Sequence, residues 1–289
     1  MGHALAQAHA AARDTLAEAD DVLGFSLSRV MAEGPEDELT ATKNAQPAIL
    51  AHSVAALRVV QDRLGPVRMA AGHSLGEFSA HVAAGTLSFR DALEAVRLRG
   101  ELMYAAGQAR PGTMAAVLGL EDEALEEACA RVQHGICVPA NFNSAGQIVV
   151  SGDVAGVEEG MALFIQAGAK RVLPLNVSGA FHSPLMEPAA MGLRERLDTL
   201  SFNDPAFPVY SNVTASPVTS GSEARELLVR QLTSPVRWAA SVAAMVAAGA
   251  ERFVEVGPGS VLCGLNKRNA KGLPCVSLGE PTQIDSYQG

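Results

Sequence analysis

Residues 69–81 read MAAGHSLGEFSAH. A short apolar run, residues 67–71, leads into Gly72-His73-Ser74-Leu75-Gly76, and an Ala-rich segment follows that ends at Gly85. The pattern predicts a strand, a sharp turn and a helix, with Ser74 at the apex. Such a nucleophile elbow strains its backbone and brings strand and helix close together, so it needs small residues two before and two after the serine. Gly72 and Gly76 meet that need. A serine so placed lies at a helix N-terminus, where free backbone N–H groups can hold a developing oxyanion. The same residues can also be read as a glycine-bounded turn whose serine only caps the helix. The strand-turn-helix context favours the nucleophile.

Upstream, Leu5, Ala12, Leu16, Ala19 and Leu23 recur at helical intervals, which predicts one amphipathic helix over residues 3–23. Gly34-Pro35 ends the next short helix. Gln46-Pro47 precedes a second amphipathic run, residues 48–64, stopped by Gly65-Pro66. Downstream of the elbow, residues 88–106 read as a helix with Phe89, Leu93, Val96, Gly100 and Met103 along one face. Arg99 falls about 60° from the centre of that stripe and Arg97 about 100° off on the other side. Arg99 is therefore the better placed to reach inward, although both arginines also fit a solvated face.

From Gly112 the pattern becomes a compact alternation. Strands are expected at residues 114–118, 136–142, 148–152 and 171–177, and helices at 121–133 and 154–167. The order β-α-β-β-α-β matches a ferredoxin-like unit, so residues 112–178 read as a small subdomain inserted into an α/β body of residues 1–111 and 179–289. The hairpin turn is placed at Asn143-Ser144-Ala145-Gly146, where Asn141 and Asn143 either face a ligand or serve the turn.

Ser178-Gly179-Ala180-Phe181-His182-Ser183-Pro184 follows the last of these strands. His182 sits where the chain re-enters the body, at an expected cleft, and is the best base candidate of the seven histidines. His3, His9 and His134 read as surface residues, His52 as packed on a helix, and His73 and His81 as supports of the elbow. A loop histidine is as readily structural until a partner is found. The last third reads as a strand (208–212), a helix through Arg230-Gln231-Leu232, a helix (237–250), a strand (253–256) and the turn Gly257-Pro258-Gly259. A dinucleotide fingerprint fails there because Leu262 occupies the third glycine position.

The bulk composition suits a soluble enzyme: 289 residues, 48% hydrophobic and 18% charged. A net charge of −9 leaves no overall basic field for nucleic acid. Cys129, Cys137, Cys263 and Cys275 show no C-x-x-C spacing, so four free thiols in a reducing compartment and no structural metal are expected. No run reaches membrane-spanning length and no signal segment opens the chain, which makes a cytoplasmic protein the expectation.

Taken in order, Gly-His-Ser-Leu-Gly-Glu, Arg99-Gly100, Ala180-Phe181-His182-Ser183-Pro184-Leu185-Met186, Arg230-Gln231-Leu232 with Pro235-Val236-Arg237-Trp238, and Glu255-Val256-Gly257-Pro258-Gly259 resemble the malonyl-CoA:acyl carrier protein transacylase family. Asn44-Ala45-Gln46-Pro47-Ala48 and Asn141-Phe142-Asn143-Ser144 extend the resemblance over nearly the whole chain. It implies an α/β fold with a hydrolase-like large subdomain, a parallel sheet and the inserted ferredoxin-like subdomain. It implies that Ser74 is acylated, that His182 is the base, and that the main-chain carbonyl of Gln231 orients the imidazole. Leu75 would give one oxyanion N–H, and Arg99 would hold the malonyl carboxylate. His73, Asn143 and Phe181 would complete the substrate site, with Phe181 limiting branching at the α-carbon. No cofactor is implied; the partners are malonyl-CoA and acyl carrier protein, with a monomer expected.

A guanidinium suits this task because it grips a carboxylate through two charge-assisted hydrogen bonds, which selects malonyl over acetyl. An acidic carrier needs positive charge near the cleft, and Lys267-Arg268 with Lys271, or Lys170-Arg171, are candidates that equally fit a solvated surface. In the family, a strand and a Gly-rich loop carrying a glutamine precede the helix that begins this chain. The expectation is that Met1 is an internal methionine of a longer natural chain and that the second oxyanion donor lies before it. Losing one such donor costs about 10²- to 10³-fold in rate. Rival readings are a serine esterase or thioesterase on the same elbow, or a catalytically weak partner-binding subunit.

Overall fold

The structure is a computed structural model that describes residues 1–177 and 179–289; Ser178 of the expected re-entry segment lies outside the described residues. The chain opens with two helices where periodicity predicts one, α1 (His3–Ala8) and α2 (Ala10–Leu23). His9 between them is extended, with φ −130° and ψ 126°, and its Nε2 lies 3.3 Å from Asp285 Oδ1. The stripe still faces inward on both sides of the break, through Leu5, Ala12, Leu16 and Ala19. Next come α3 (Leu27–Glu33), which ends at Gly34 as expected, α4 (Glu36–Thr40) and α5 (Thr42–Val60). The elbow strand β1 is only Ala70–Ala71, and α6 (Gly76–Ala83) and α7 (Phe89–Ala109) follow.

Helix α5 begins before the expected residue 48 and carries Pro47 inside it. Proline has no N–H to bond the carbonyl four residues back, which is Lys43 O. Arg97 Nη1 supplies the missing donor at 3.0 Å and also bonds Asn44 Oδ1 at 2.6 Å. The arginine that the periodicity left to solvent thus repairs a neighbouring helix. The two helices can approach because a Cβ on Gly100 would lie 2.8 Å from Lys43 Cα and Thr42 O.

The small sheet comprises β2 (Gly112–Leu118), β3 (Cys137–Ser144), β4 (Gln147–Asp153) and β5 (Arg171–Leu175), with α8 (Asp122–Ala130) and α9 (Val154–Gln166) packed on it. Its order is β3-β4-β2-β5 with every neighbouring pair antiparallel, as a ferredoxin-like unit requires. Ala115, Val117, Leu125, Ile148, Val150 and Phe164 form a core of its own. Asn143 and Ser144 belong to β3, not to the turn, which shrinks to Ala145 and Gly146. Register shifts at Pro139/Asn141 and Phe142/Ser144 let the strand run on and bend. That bend brings β3 against the body, where Phe142 N donates to Val236 O at 2.9 Å and Val236 N to Ala140 O at 2.8 Å.

The body continues through α10 (Glu187–Leu197), β6 (Val209–Tyr210), β7 (Pro217–Val218), α11 (Gly221–Arg230), α12 (Trp238–Ala247), β8 (Phe253–Val256), α13 (Val261–Asn269), β9 (Cys275–Leu278) and α14 (Pro281–Ser286). Strand β1 pairs in parallel with β6, which pairs antiparallel with β7; β8 and β9 form a separate parallel pair. One large core, including Leu50, Val54, Phe78, Leu93, Val96 and Leu193, joins α2, α5, α6, α7 and α10 beneath the elbow.

Contrary to what their spacing suggested, the four cysteines are not all free thiols. Cys263 on α13 and Cys275 on β9 form a disulfide with a Cα–Cα distance of 5.4 Å, so only Cys129 and Cys137 are free. The turn after α13 folds β9 back beside the helix, and no spacing rule for paired cysteines anticipates that adjacency. Among the described residues, no helix is long and apolar enough to cross a membrane and no group of three or more His, Cys, Asp or Glu could hold a metal.

Candidate active site

The elbow is built as the motif predicts, with one difference. Ser74 has φ 50°, in the left-handed region that costs a non-glycine residue strain. A Cβ on Gly72 would lie 1.9 Å from the Gly76 carbonyl group, so strand and helix cross too closely for any side chain there. A Cβ on Gly76 would meet nothing within 4 Å, so the second glycine is not demanded by space. Asn212, just past β6, clips the strained turn: its Oδ1 accepts from Ser74 N at 2.7 Å and its Nδ2 donates to Gly72 O at 2.7 Å.

His182 reaches the serine from the re-entry loop. It too has positive φ, 58°, and Ser183 Oγ steadies the loop by donating to Ala180 O at 2.6 Å and accepting from Leu185 N at 3.2 Å. His182 Nε2 lies 2.8 Å from Ser74 Oγ, and Nδ1 lies 2.9 Å from Gln231 O. A carbonyl can only accept, so Nδ1 carries the proton and Nε2 presents its lone pair to the serine hydroxyl. Burial, and then the Arg99 charge, push the His182 pKa down to about 3, so the imidazole is neutral at physiological pH.

Arg99 does turn inward from α7 and is 1% exposed. Its Nη2 donates to Ser74 Oγ at 3.0 Å and to Gln231 Oε1 at 2.9 Å, and its Nη1 bonds Gln46 Oε1. Its Nε is buried without a hydrogen-bond partner among the described residues. Burial pulls its pKa to about 10, against the opposing pull of the Glu77 charge, so the guanidinium stays charged. The Gln231 amide in turn donates through Nε2 to Ser74 O at 3.0 Å and to Glu77 Oε2 at 2.6 Å.

The other expected residues lie around this centre. The Leu75 N–H, next to the serine, has no internal acceptor among the described residues. His73 Nε2 lies 2.8 Å from Asn143 Oδ1, with its ring 5.8 Å from that of Trp238; the pair links the elbow to β3. Phe181 packs against Met114, Ala140 and Val149 and makes no polar contact with the serine and histidine. A cleft of about 320 Å³ lined by His182, Pro139, Phe142, Pro235 and Arg237 opens between β3 and the body. Three residues of the site escaped the sequence reading as functional: Gln46, Glu77 and Asn212. The first two stand inside quoted motifs, where Glu77 closes the serine motif and Gln46 precedes Pro47; Asn212 carries no local signal.

A serine at an elbow with a neutral histidine facing it is the arrangement of enzymes that take an acyl group onto serine, acyltransferases and esterases alike. The acyl transferase domain model matches residues 1–281, and the chain belongs to that family. It is 45% identical over 287 residues to the malonyl CoA-acyl carrier protein transacylase of Bacillus subtilis (strain 168), covering 99% of this chain and 90% of that protein. It is 45% identical over 282 residues to the protein of the same name from Escherichia coli (strain K12), covering 97% of this chain and 91% of that one. Among solved structures, the acyl carrier protein S-malonyltransferase of Vibrio cholerae superposes with a TM-score of 0.95 at 45% identity, covering 99% and 94% of the two chains. A malonyl-transacylase in complex with a type II PKS acyl-carrier protein gives a TM-score of 0.94 at 42% identity, covering 99% and 93%.

Proposed function

We propose that the chain transfers the malonyl group of malonyl-CoA to the phosphopantetheine thiol of acyl carrier protein, through a malonyl ester on Ser74. The observation that carries this reading is the Arg99 guanidinium, buried 3.0 Å from Ser74 Oγ with its Nε unpartnered among the described residues. A buried cation beside a nucleophile suits an acyl chain that ends in a carboxylate, and a neutral ester substrate has no use for it. The malonyl relatives agree with it.

In this reading Ser74 Oγ attacks the thioester carbonyl while His182 Nε2 takes its proton. The Leu75 N–H donates to the oxyanion that forms. Collapse expels the CoA thiolate, which recovers the proton from His182. The carrier thiol then gives its proton to His182 and attacks the ester, and Ser74 takes that proton back as it leaves. Gln231 O holds the imidazole in one tautomer throughout, in the place an Asp takes in a triad.

We also read residues 112–178 as the inserted subdomain and residues 1–111 and 179–289 as the body, with the cleft where β3 meets the segment before α12. Residues Lys267 and Arg268 in the last turn of α13, with Lys271, are the better carrier-facing charges, because α13 packs on β3. Lys170 instead lies over Gly119, where a Cβ would come within 2.6 Å of its Cγ.

Initial rates at varied malonyl-CoA and carrier concentrations test the reading. Parallel double-reciprocal lines are expected, since CoA must leave before the carrier thiol reacts. Intersecting lines would contradict a malonyl ester on the path.

A further inference from the structure

Glu77 is a charged side chain at the bottom of the site, fully buried on the first turn of α6, and the mechanism above gives it no task. One oxygen, Oε2, accepts from Gln231 Nε2 at 2.6 Å and from Asn212 N at 3.1 Å; the other, Oε1, has no partner among the described residues. Those two donors belong to the residues that organise the reaction. Asn212 clips the elbow, and Gln231 supplies the carbonyl for His182 and the amide oxygen for Arg99.

An amide can face either way round unless its neighbours decide. With an acceptor-only carboxylate on one side and a donor-only guanidinium on the other, the Gln231 amide has one satisfied orientation, Nε2 toward Glu77 and Oε1 toward Arg99. We infer that Glu77 is a positioning residue that, through the Gln231 amide, holds Arg99 for the substrate carboxylate, and that its negative charge competes with that carboxylate for the guanidinium. The inference rests on the reading of Arg99 given above.

The competition follows from counting charges in a water-poor site. Among the described residues Arg99 is the one cation whose charge acts on Glu77; burial lowers the pKa of His182, of His73 and, on the same helix, of His81, and Ser211, Asn212 and Gln231 are uncharged. A malonyl group on Ser74 brings a second carboxylate to the same guanidinium, so one of the two is better neutral. Glu77 can take a proton on its free Oε1 without giving up the two bonds to Oε2. Burial already raises its pKa to about 7, so this proton exchanges near neutrality.

The experiment measures kcat and KM for malonyl-CoA and acetyl-CoA with the wild-type chain, Glu77→Gln, Glu77→Ala and Arg99→Ala, from about pH 6 to about pH 8.5. In the wild type the malonyl-CoA KM should rise with pH through neutrality, while the acetyl-CoA KM stays flat. Glu77→Ala, which frees the amide, should raise the malonyl-CoA KM about tenfold and lower the malonyl-to-acetyl preference in proportion. Mere loss of folded protein would lower kcat for both substrates alike and leave the preference intact. Glu77→Gln keeps an acceptor without the charge, so it should restore the preference and abolish the pH dependence of KM. A wild-type pH profile in Glu77→Gln overturns the inference, even if Glu77→Ala does not fold, and so does an unchanged preference in Glu77→Ala. If Arg99→Ala keeps the malonyl preference, the reading of the site itself fails. If Arg99→Ala loses it while the Glu77 variants match the wild type, only the role of Glu77 does.

Discussion

Arg99 Nη2 lies 3.0 Å from Ser74 Oγ, with α7 presenting the cation to the serine of the turn that precedes α6. The reach is set by the stripe of Phe89, Leu93, Val96 and Met103, all buried, which turns Arg99 toward the elbow. Arg99→Ala should therefore lower kcat/KM for malonyl transfer by about 100-fold or more, the usual scale for truncating one partner of a buried charge pair. Acetyl transfer should be unchanged or faster. Parallel assays with the two thioesters check this; equal losses for both would assign Arg99 a structural role alone.

The two elbow glycines should part company on substitution. Gly72→Ala forces a Cβ to within 1.9 Å of backbone and should cost about 3 kcal/mol or more, with loss of the serine geometry. Gly76→Ala meets no atom within 4 Å and opens a helix, so it should be neutral or stabilising by up to about 1 kcal/mol. Urea unfolding of both variants measures the difference.

Arg97 and Pro47 should be energetically coupled. Arg97→Ala leaves Lys43 O without the donor that Pro47 fails to supply, and should destabilise by about 1 to 2 kcal/mol. In a Pro47→Ala background the new N–H can reach that carbonyl, so the same change should cost less. A double-mutant cycle by urea unfolding gives the coupling energy, and strict additivity would contradict the repair.

Stability should fall on the acid side because of buried neutral histidines. His182 and His81 titrate at about 3 and about 4 when folded, below the unfolded value of 6.5. As pH drops below 6.5 the unfolded chain takes up protons that the folded chain refuses, so stability is lost progressively toward those folded values. Glu77 acts in the opposite sense: folded at about 7 against 4.5, its contribution is lost as pH rises between those values. His81 has no partner for either ring nitrogen among the described residues, so His81→Leu should keep stability at pH 8 and remove on the order of 2 kcal/mol of the loss at pH 5. Unfolding midpoints at the two pH values check both halves.

The elbow, the inward arginine and the ferredoxin-like order were legible because each leaves a periodic or local trace: a glycine-flanked serine, an apolar stripe, alternating short elements. His182 and Gln231 stood in recognisable motifs, but residue types alone could not show that a main-chain carbonyl turns the imidazole. What stayed hidden depends on contacts between distant segments. Pro47 reads as a boundary until Arg97, fifty residues later, is seen to bond Lys43 O. The break at His9 lies where its ring meets Asp285, and Cys263 and Cys275 meet because β9 returns beside α13. Gln46, Glu77 and Asn212 are ordinary polar residues in sequence; only burial against Arg99 and the elbow gives them work.

Every step of the transfer passes through malonyl loading of Ser74, which intact-mass analysis of this chain after incubation with malonyl-CoA measures. The predicted result is a gain of one malonyl group on the peptide containing Ser74, absent in Ser74→Ala, strongly reduced in Arg99→Ala, and discharged by acyl carrier protein. A chain that stays unmodified, or one that acetyl-CoA loads as readily as malonyl-CoA, would contradict it.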